Sequence, residues 1–336
     1  MKAMVLKEVF PIETAPLEMI DLPIPVPGPK EILIKISACG VCHTELDQIE
    51  GRIRSRLPIV LGHEIIGKVD RLGPEASRFH MGDSVGIAWI HSACGKCDFC
   101  QRGNENLCQE FRATGCDVNG GYAQYTVVSE DFGFLIPSTF SDPEAAPLLC
   151  AGAIGYRDLR LCEIKSGQTL GLFGFGASAH IVIQMAKYWG YEVFVFTRSQ
   201  AHRTLAKRLG ASWAGGPEDY PPKKIHGAID FTPVGETVPI ALRTLEKGGR
   251  LVIAVIRKRN PIPPMDYAEL LWDEREIKSV ANITRTDVRD FLSLSSKIPI
   301  RPEVQEFELG EANRALSLLK QGEIRGAAVL RIFDEP

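Results

Sequence analysis

The sequence predicts an α/β protein in which an open, doubly wound parallel sheet occupies the middle of the chain, with a β-rich part before it. Three observations carry this. Between about Ala151 and Ile298, short apolar runs alternate with helical segments that are apolar on one face, the pattern of repeated βα units. Val193-Phe-Val-Phe196 is continuously apolar, as a parallel strand covered on both faces must be. Before about Cys150 the chain instead shows short alternating runs broken by Gly and Pro, which read as half-buried strands.

From the N-terminus, Pro23-Ile-Pro-Val-Pro-Gly-Pro29 is neither helix nor central strand, because its prolines remove backbone donors and keep the chain extended. Ile32, Ile34 and Ile36 alternate with Leu33, Lys35 and Ser37, which predicts a strand with one buried face. In the middle part, Leu170-Gly-Leu-Phe-Gly-Phe175 reads as a strand, followed by a helix presenting Ile181, Val182, Met185, Ala186 and Trp189 on one side. Val193–Phe196 is the next strand and its helix ends near Leu209-Gly210, where glycine supplies the stop. Ala228–Phe231 and Arg250–Val255 add further strands, and the pattern repeats no longer unit. After about Pro299 the texture is mixed, and Ala327–Phe333 is expected to return to the first part. The predicted domains are therefore 1–151 with 299–336, and 152–298.

At 336 residues the chain suits about two domains. A formal net charge of -3, with 45% hydrophobic and 24% charged residues, excludes the basic surface that a nucleic-acid binder needs. No signal peptide or membrane span is visible, and nine cysteines, an odd number, suit a reducing compartment. The expectation is a cytoplasmic protein with no nucleic-acid or membrane partner.

Cys94-x2-Cys97-x2-Cys100-x7-Cys108 places four thiolates within fifteen residues. Thiolates repel one another and resist burial unless a cation neutralises them, so the spacing points to tetrahedral zinc with no position left for substrate, a structural site. Two disulfides or four unrelated thiols are the competing readings.

Gly174-Phe-Gly176-Ala177-Ser178-Ala179 falls between a strand and a helix, where a dinucleotide-binding turn belongs. The first glycine permits the turn, the second lets the backbone approach a pyrophosphate, and a small third residue allows close helix–strand packing. At the end of the next strand an acid would hydrogen-bond the ribose hydroxyls and repel a 2'-phosphate. Here the chain reads Thr197-Arg198-Ser199, with His202 and Arg203 following. Hydroxyls and guanidinium groups suit a phosphate monoester, which favours NADP(H) over NAD(H); a solvated helix start is the plain alternative.

Cys42 in Gly40-Val-Cys-His-Thr-Glu45, His63 in Gly62-His-Glu64 and Cys150 in Leu149-Cys-Ala-Gly152 form a second, dispersed set. Two thiolates and an imidazole make an open zinc site, with a fourth position for water or a substrate oxygen. Any one of them alone is more simply a buried cysteine or a satisfied histidine.

The order of these motifs, with Gly120-Gly-Tyr-Ala-Gln-Tyr125 between the four-cysteine lobe and Cys-Ala-Gly, resembles the zinc-dependent medium-chain alcohol dehydrogenases over essentially the whole chain. The resemblance implies a GroES-like catalytic domain, completed by the end of the chain, joined to a Rossmann domain. It implies two zinc ions per chain: Cys42, His63 and Cys150 look like the catalytic ligands, and Cys94, Cys97, Cys100 and Cys108 like the structural ones. Cys39 is then a decoy, since the family's ligand directly precedes the His-Thr pair. Thr44 resembles the hydroxyl that passes the alcohol proton toward the cofactor ribose, His43 a cofactor contact, and Glu64 the carboxylate close behind zinc. Glu45 is expected to orient His63. Where many relatives carry a histidine that hands the proton to solvent, this chain has Asp47, either an outer acceptor or an exposed acid outside catalysis. Ile53 and Trp89 match pocket positions, although Trp89 also suits plain core packing. The implied function is alcohol dehydrogenase or aldehyde reductase acting on an alcohol, aldehyde or ketone, in a dimer or tetramer. A polyol or cinnamyl-type dehydrogenase is the alternative, and a non-catalytic nucleotide-binding sensor is the reading from another class.

Overall fold

The computed structural model describes residues 1–333. The chain forms two compact units, the first comprising Met1–Cys150, Ile283–Ser296 and the chain from Pro302 onward, and the second Ala151–Asn282 with Lys297–Arg301.

The first unit is built on a seven-stranded sheet whose centre is the strand Glu31–Val41. It pairs antiparallel with Ile65–Leu72, Tyr125–Ser129 and the C-terminal strand Ala327–Arg331. Cys39 lies opposite Ile65 on one side and Leu330 on the other, so the chain's end is laced beside its beginning. Ile32, Ile34 and Ile36 are buried as the alternation requires, but Leu33 is equally buried. The strand is covered on both faces at that point, and only Lys35 keeps the predicted exposure.

One boundary differs from the sequence expectation of a middle domain ending at 298. The helix Arg285–Ser295 clusters with the first unit. Its first turn is tied there: buried Glu105 accepts hydrogen bonds from the Arg285 backbone N–H and Nε, both at 3.0 Å, and the guanidinium lies 4.6 Å from the Phe132 ring centre. A helix whose start is anchored by charge-assisted bonds follows its anchors rather than its sequence neighbours. Lys297–Arg301 goes instead with the second unit, where Gln184 bonds both the N–H and the carbonyl of Arg301.

The second unit holds a six-stranded, wholly parallel sheet in the spatial order Trp213–Gly215, Glu192–Phe196, Thr169–Phe173, Ile225–Asp230, Leu245–Ile253, Glu276–Ser279. Counted along this unit the order is 3-2-1-4-5-6, so the direction of winding reverses between Thr169–Phe173 and Ile225–Asp230. Every residue of Thr169–Phe173 is buried, as a central strand with helices on both faces demands. Phe173 stacks on Phe196 with ring centres 4.2 Å apart, and Trp213 packs 4.9 Å from Phe196. Aromatic packing of this kind adds about 0.5–1.5 kcal/mol per pair to simple burial and holds the two strands that flank the glycine turn in register. Among the described residues, no helix is long and apolar enough to cross a membrane.

Candidate active site

Three chain segments meet in the first unit to bring Cys42, His63, Glu64 and Cys150 together, with one ligand atom from each within 4.8 Å of all the others. Cys42 directly follows the central strand and is the extended N-cap residue of the helix His43–Ile49, its thiol lying at the first turn of that helix. His63 follows Gly62, which sits at φ +95°, with the side-chain direction blocked by the Tyr122 ring and the Cys39 sulfur. Only glycine adopts that conformation freely, and it turns His63 inward to full burial. Cys150 lies where a short 3-10 turn gives way to the helix Ala151–Cys162.

Glu45 links two of these donors. Its Oε2 accepts the Cys42 backbone N–H at 2.9 Å, closing a capping box, while Oε1 lies 2.6 Å from His63 Nδ1. A carboxylate at that distance accepts a proton held on Nδ1 and points Nε2 into the cluster. There Nε2 is buried and has no hydrogen-bond partner. Burial alone would lower the imidazole pKa, but the Glu45 charge and the nearby Cys42 thiolate outweigh it and leave it well above its usual value. Between the two thiols, Cys42 is held well below the usual thiol range, first by the hydrogen bond from Cys150, which is itself pushed well above it. Burial and the Cys42 charge push Glu64 up as well. An orphaned buried nitrogen, a sulfur held as thiolate and a carboxyl that resists ionisation form a donor set suited to a divalent cation. The residues fit zinc.

The four lobe cysteines also converge, each sulfur within 4.8 Å of the others. Cys94 and Cys100 Sγ are 3.9 Å apart, against about 3.8 Å for two sulfurs on tetrahedral zinc with bonds of about 2.3 Å. Backbone N–H groups of Cys97 and Glu110 donate to the sulfurs of Cys94 and Cys108 at 3.4 and 3.3 Å. Bonds from Lys96 and Cys97 N–H lower Cys94 to about 6, whereas burial and Cys97 push Cys100 up to about 12. All nine cysteines are free thiols, which sets the disulfide reading aside. Cys39 is in neither cluster: it is buried, donates weakly to the Gly40 carbonyl at 3.6 Å, and burial raises its pKa.

In the second unit, Gly174 takes φ +84° directly after the strand, and the helix Ala177–Tyr188 begins at Gly176 with no side chain capping it. Nothing lies within 4 Å of where a Cβ on Gly176 would stand, so the backbone there is open to a ligand. The N–H groups of Ala177, Ser178 and Ala179 start the helix and are free of side-chain caps, which suits a pyrophosphate. Gly174 N–H donates to the Phe196 carbonyl at 2.8 Å, bringing the turn beside Thr197, Arg198 and Ser199. Ser199 is already the cap of the next helix, accepting from His202 N–H, and Arg203 Nε donates to the Thr197 carbonyl at 2.9 Å. Arg198 is exposed.

Thr44 is buried, its hydroxyl 3.6 Å from Cys42 Sγ, and His43 is exposed one residue earlier. Asp47 is committed elsewhere. Arg52 Nε donates to its carboxylate at 2.6 Å, with the Asp47 side chain 18% exposed. An outer proton acceptor paired with a guanidinium is a poor base, so Asp47→Asn is expected to leave kcat within about twofold and the pH profile unshifted, the pair being worth at most about 1 kcal/mol at this exposure. A displaced profile would put Asp47 back in the relay.

Ile53 and Trp89 share one apolar cluster with Phe111, Ala113 and Cys116, and the Trp89 ring stands edge-on to His63 at 5.0 Å. Cys116, expected to serve small apolar packing, does so here, whereas the sequence reading left out Phe111 and Ala113, whose only signal was apolar character. Glu45 and His63 form the contact expected of them, at the distances given above.

Residues 28–138 match the family described as alcohol dehydrogenase GroES-like domain, and residues 179–297 the family described as zinc-binding dehydrogenase. The chain is 45% identical over 328 residues to a Mycobacterium tuberculosis protein named probable alcohol dehydrogenase AdhA, covering 96% of this chain and 94% of that one. Among solved structures it resembles an NAD-dependent alcohol dehydrogenase with a TM-score of 0.91 at 25% identity, covering 99% and 100% of the two chains. A protein from Sinorhizobium meliloti, described as a zinc-binding dehydrogenase bound to NADP, gives 0.87 at 26% identity with 98% of each chain covered.

Proposed function

This chain belongs to the zinc-dependent medium-chain alcohol dehydrogenase family, and on that premise we propose which groups act and which cofactor and substrates it takes. It is an NAD(P)-dependent oxidoreductase. The proposed reaction interconverts a small-to-medium, fairly apolar alcohol with its aldehyde or ketone, with NADP(H) preferred. The observation that carries the site assignment is the buried, partnerless His63 Nε2 among Cys42, Cys150 and Glu64.

A zinc ion held by Cys42, His63 and Cys150 would supply Lewis acidity toward a hydroxyl or carbonyl oxygen. The chain's own residues do the rest. Glu45 fixes the His63 tautomer and, through the Cys42 N–H, the start of the helix that carries Thr44. Thr44 takes the proton of the substrate hydroxyl and passes it outward, and gives it back in the reverse direction. Trp89, Ile53, Phe111 and Ala113 offer apolar surface that excludes water and favours an apolar substituent. The Gly174–Gly176 turn and the N–H groups after it hold the pyrophosphate, and Arg198 and Arg203 receive the 2'-phosphate. His43 contacts the cofactor from its exposed position. A second zinc held by Cys94, Cys97, Cys100 and Cys108 would be structural, since four thiolates leave no open position. A cytoplasmic homo-oligomer is the proposed form.

The test is NADPH against NADH oxidation over a panel of aldehydes and ketones. NADPH is expected to be preferred, and the double variant Arg198→Ala, Arg203→Ala is expected to raise KM for NADPH by about tenfold or more while NADH changes little, since each charged hydrogen bond is worth about 1.5–3 kcal/mol. Preference of the wild type for NADH would overturn the cofactor assignment. Zinc analysis separates enzyme from sensor: about two ions per chain with carbonyl-dependent turnover support the enzyme, and one ion without turnover would support the sensor.

A further inference from the structure

At the carboxyl ends of the parallel strands stands a buried ion pair that the glycine turn does not use. Asp230, the last residue of Ile225–Asp230, is fully buried, and Lys258 Nζ reaches its Oδ2 at 2.5 Å from the loop after Leu245–Ile253. The Lys258 side chain is 11% exposed. Its ammonium also donates to the Thr232 carbonyl at 2.7 Å, while Asp230 Oδ1 accepts the Thr232 N–H at 2.8 Å and hydroxyl at 2.7 Å. Burial pushes the Asp230 carboxyl up, against the pull of Lys258 and Thr232 in the other direction. Further ties run alongside: Arg259 N–H to the Pro233 carbonyl at 2.7 Å, Gly235 N–H to Asn260 Oδ1 at 3.3 Å, and Asn260 Nδ2 to Glu236 Oε2 at 2.6 Å. Two loops, 231–236 and 254–260, are strapped together.

Burying two charges costs several kcal/mol each, and well-packed apolar residues are often as stabilising as the pair, so stability alone is a weak account of Lys258 and Asp230. What a charged pair adds is a fixed direction and distance. The place is telling: Phe231 N–H donates to the Phe173 carbonyl at 2.9 Å, and the Thr232 methyl lies 3.2 Å from where a Cβ on Gly174 would be. The pair thus stands beside the glycine turn, where the winding of the sheet reverses and a dinucleotide is received.

We propose that Lys258 is a positioning residue, whose pairing with Asp230 holds the two loops in the arrangement that receives the nicotinamide half of the dinucleotide. This rests on the dinucleotide reading above. The first three strands of such a sheet serve the adenosine half, and the strands from Ile225–Asp230 onward serve the other.

The test is equilibrium binding to the intact, zinc-loaded protein, with NADPH and NADH as whole cofactors and adenosine 2',5'-bisphosphate and 5'-AMP as adenosine-half probes. For Lys258→Met and Asp230→Asn, both whole cofactors are expected to bind about tenfold more weakly, as if the competent loop arrangement were populated about a tenth of the time. The adenosine-half probes should stay within about twofold of wild type, and Lys258→Arg should restore most of the loss. In turnover, KM for the cofactor should rise more than kcat falls. Asp230→Asn keeps the side-chain shape and carries the test should Lys258→Met not fold. Unchanged cofactor affinity in the variants, or an equal loss for whole cofactors and half-probes that tracks the melting temperature, would overturn the positioning role alone. A wild type that binds none of these ligands would overturn the dinucleotide reading and this inference with it.

Discussion

Cys42→Ala is expected to lower turnover by at least about 10³-fold, because the Lewis acidity that depends on this ligand is worth several kcal/mol and each 1.4 kcal/mol is a factor of ten. Zinc should fall from about two ions per chain to about one, while NAD(P)H affinity stays within about twofold, since the glycine turn belongs to the other unit. The variant also loses the thiol at the start of the helix His43–Ile49, but a helix cap is worth only about 1 kcal/mol, and the Glu45 bond to the Cys42 backbone does not need the sulfur. A thermal melt close to wild type would show that chemistry, rather than folding, was lost. Turnover retained at a tenth of wild type or better would remove Cys42 from the ligand set.

Cys97→Ser should have the opposite signature, with a large effect on stability and a smaller one on the chemical step. The lobe contains only a four-residue helix and a 3-10 turn, and its cysteines other than Cys108 are half-exposed, so it has little apolar burial of its own. Structural zinc binding supplies about 10–16 kcal/mol at neutral pH in small domains, and three remaining thiolates cannot replace it. Glu105 carries the damage further, because it sits between Cys100 and Cys108 and holds the first turn of Arg285–Ser295. The expected result is loss of one zinc, proteolytic nicking between Cys94 and Cys108, and a melting temperature lower by roughly 5–10 °C. An unchanged melt with full zinc content would mean that the lobe does not depend on metal.

The two candidate metal-ligand clusters differ in how much of them could be read in advance. Cys94 to Cys108 is legible because its ligands are close along the chain, and a few turns of backbone bring the sulfurs together whatever the rest of the fold does. The glycine turn is legible for the same reason, its meaning set by the strand before it and the helix after it. Cys42, His63 and Cys150 are separated by 21 and 87 residues, and their convergence depends on the register of the central strand, the φ of Gly62 and the turn before Ala151. Family resemblance supplied that set, whereas spacing alone left it open.

Local chemistry in the sequence thus determined the parallel sheet and four of its six strands, the four-thiol lobe and the glycine turn between strand and helix, while Trp213–Gly215 and Glu276–Ser279 went unread. Tertiary structure alone decided that Glu45 serves both Cys42 and His63, that Arg52 occupies Asp47, that Arg285–Ser295 goes with the first unit, and that Lys258 is buried against Asp230. The physical reason is range. Hydrophobic period and turn chemistry act over a few residues, whereas each of these later features is a hydrogen bond or ion pair whose geometry is set only once packing has fixed both partners.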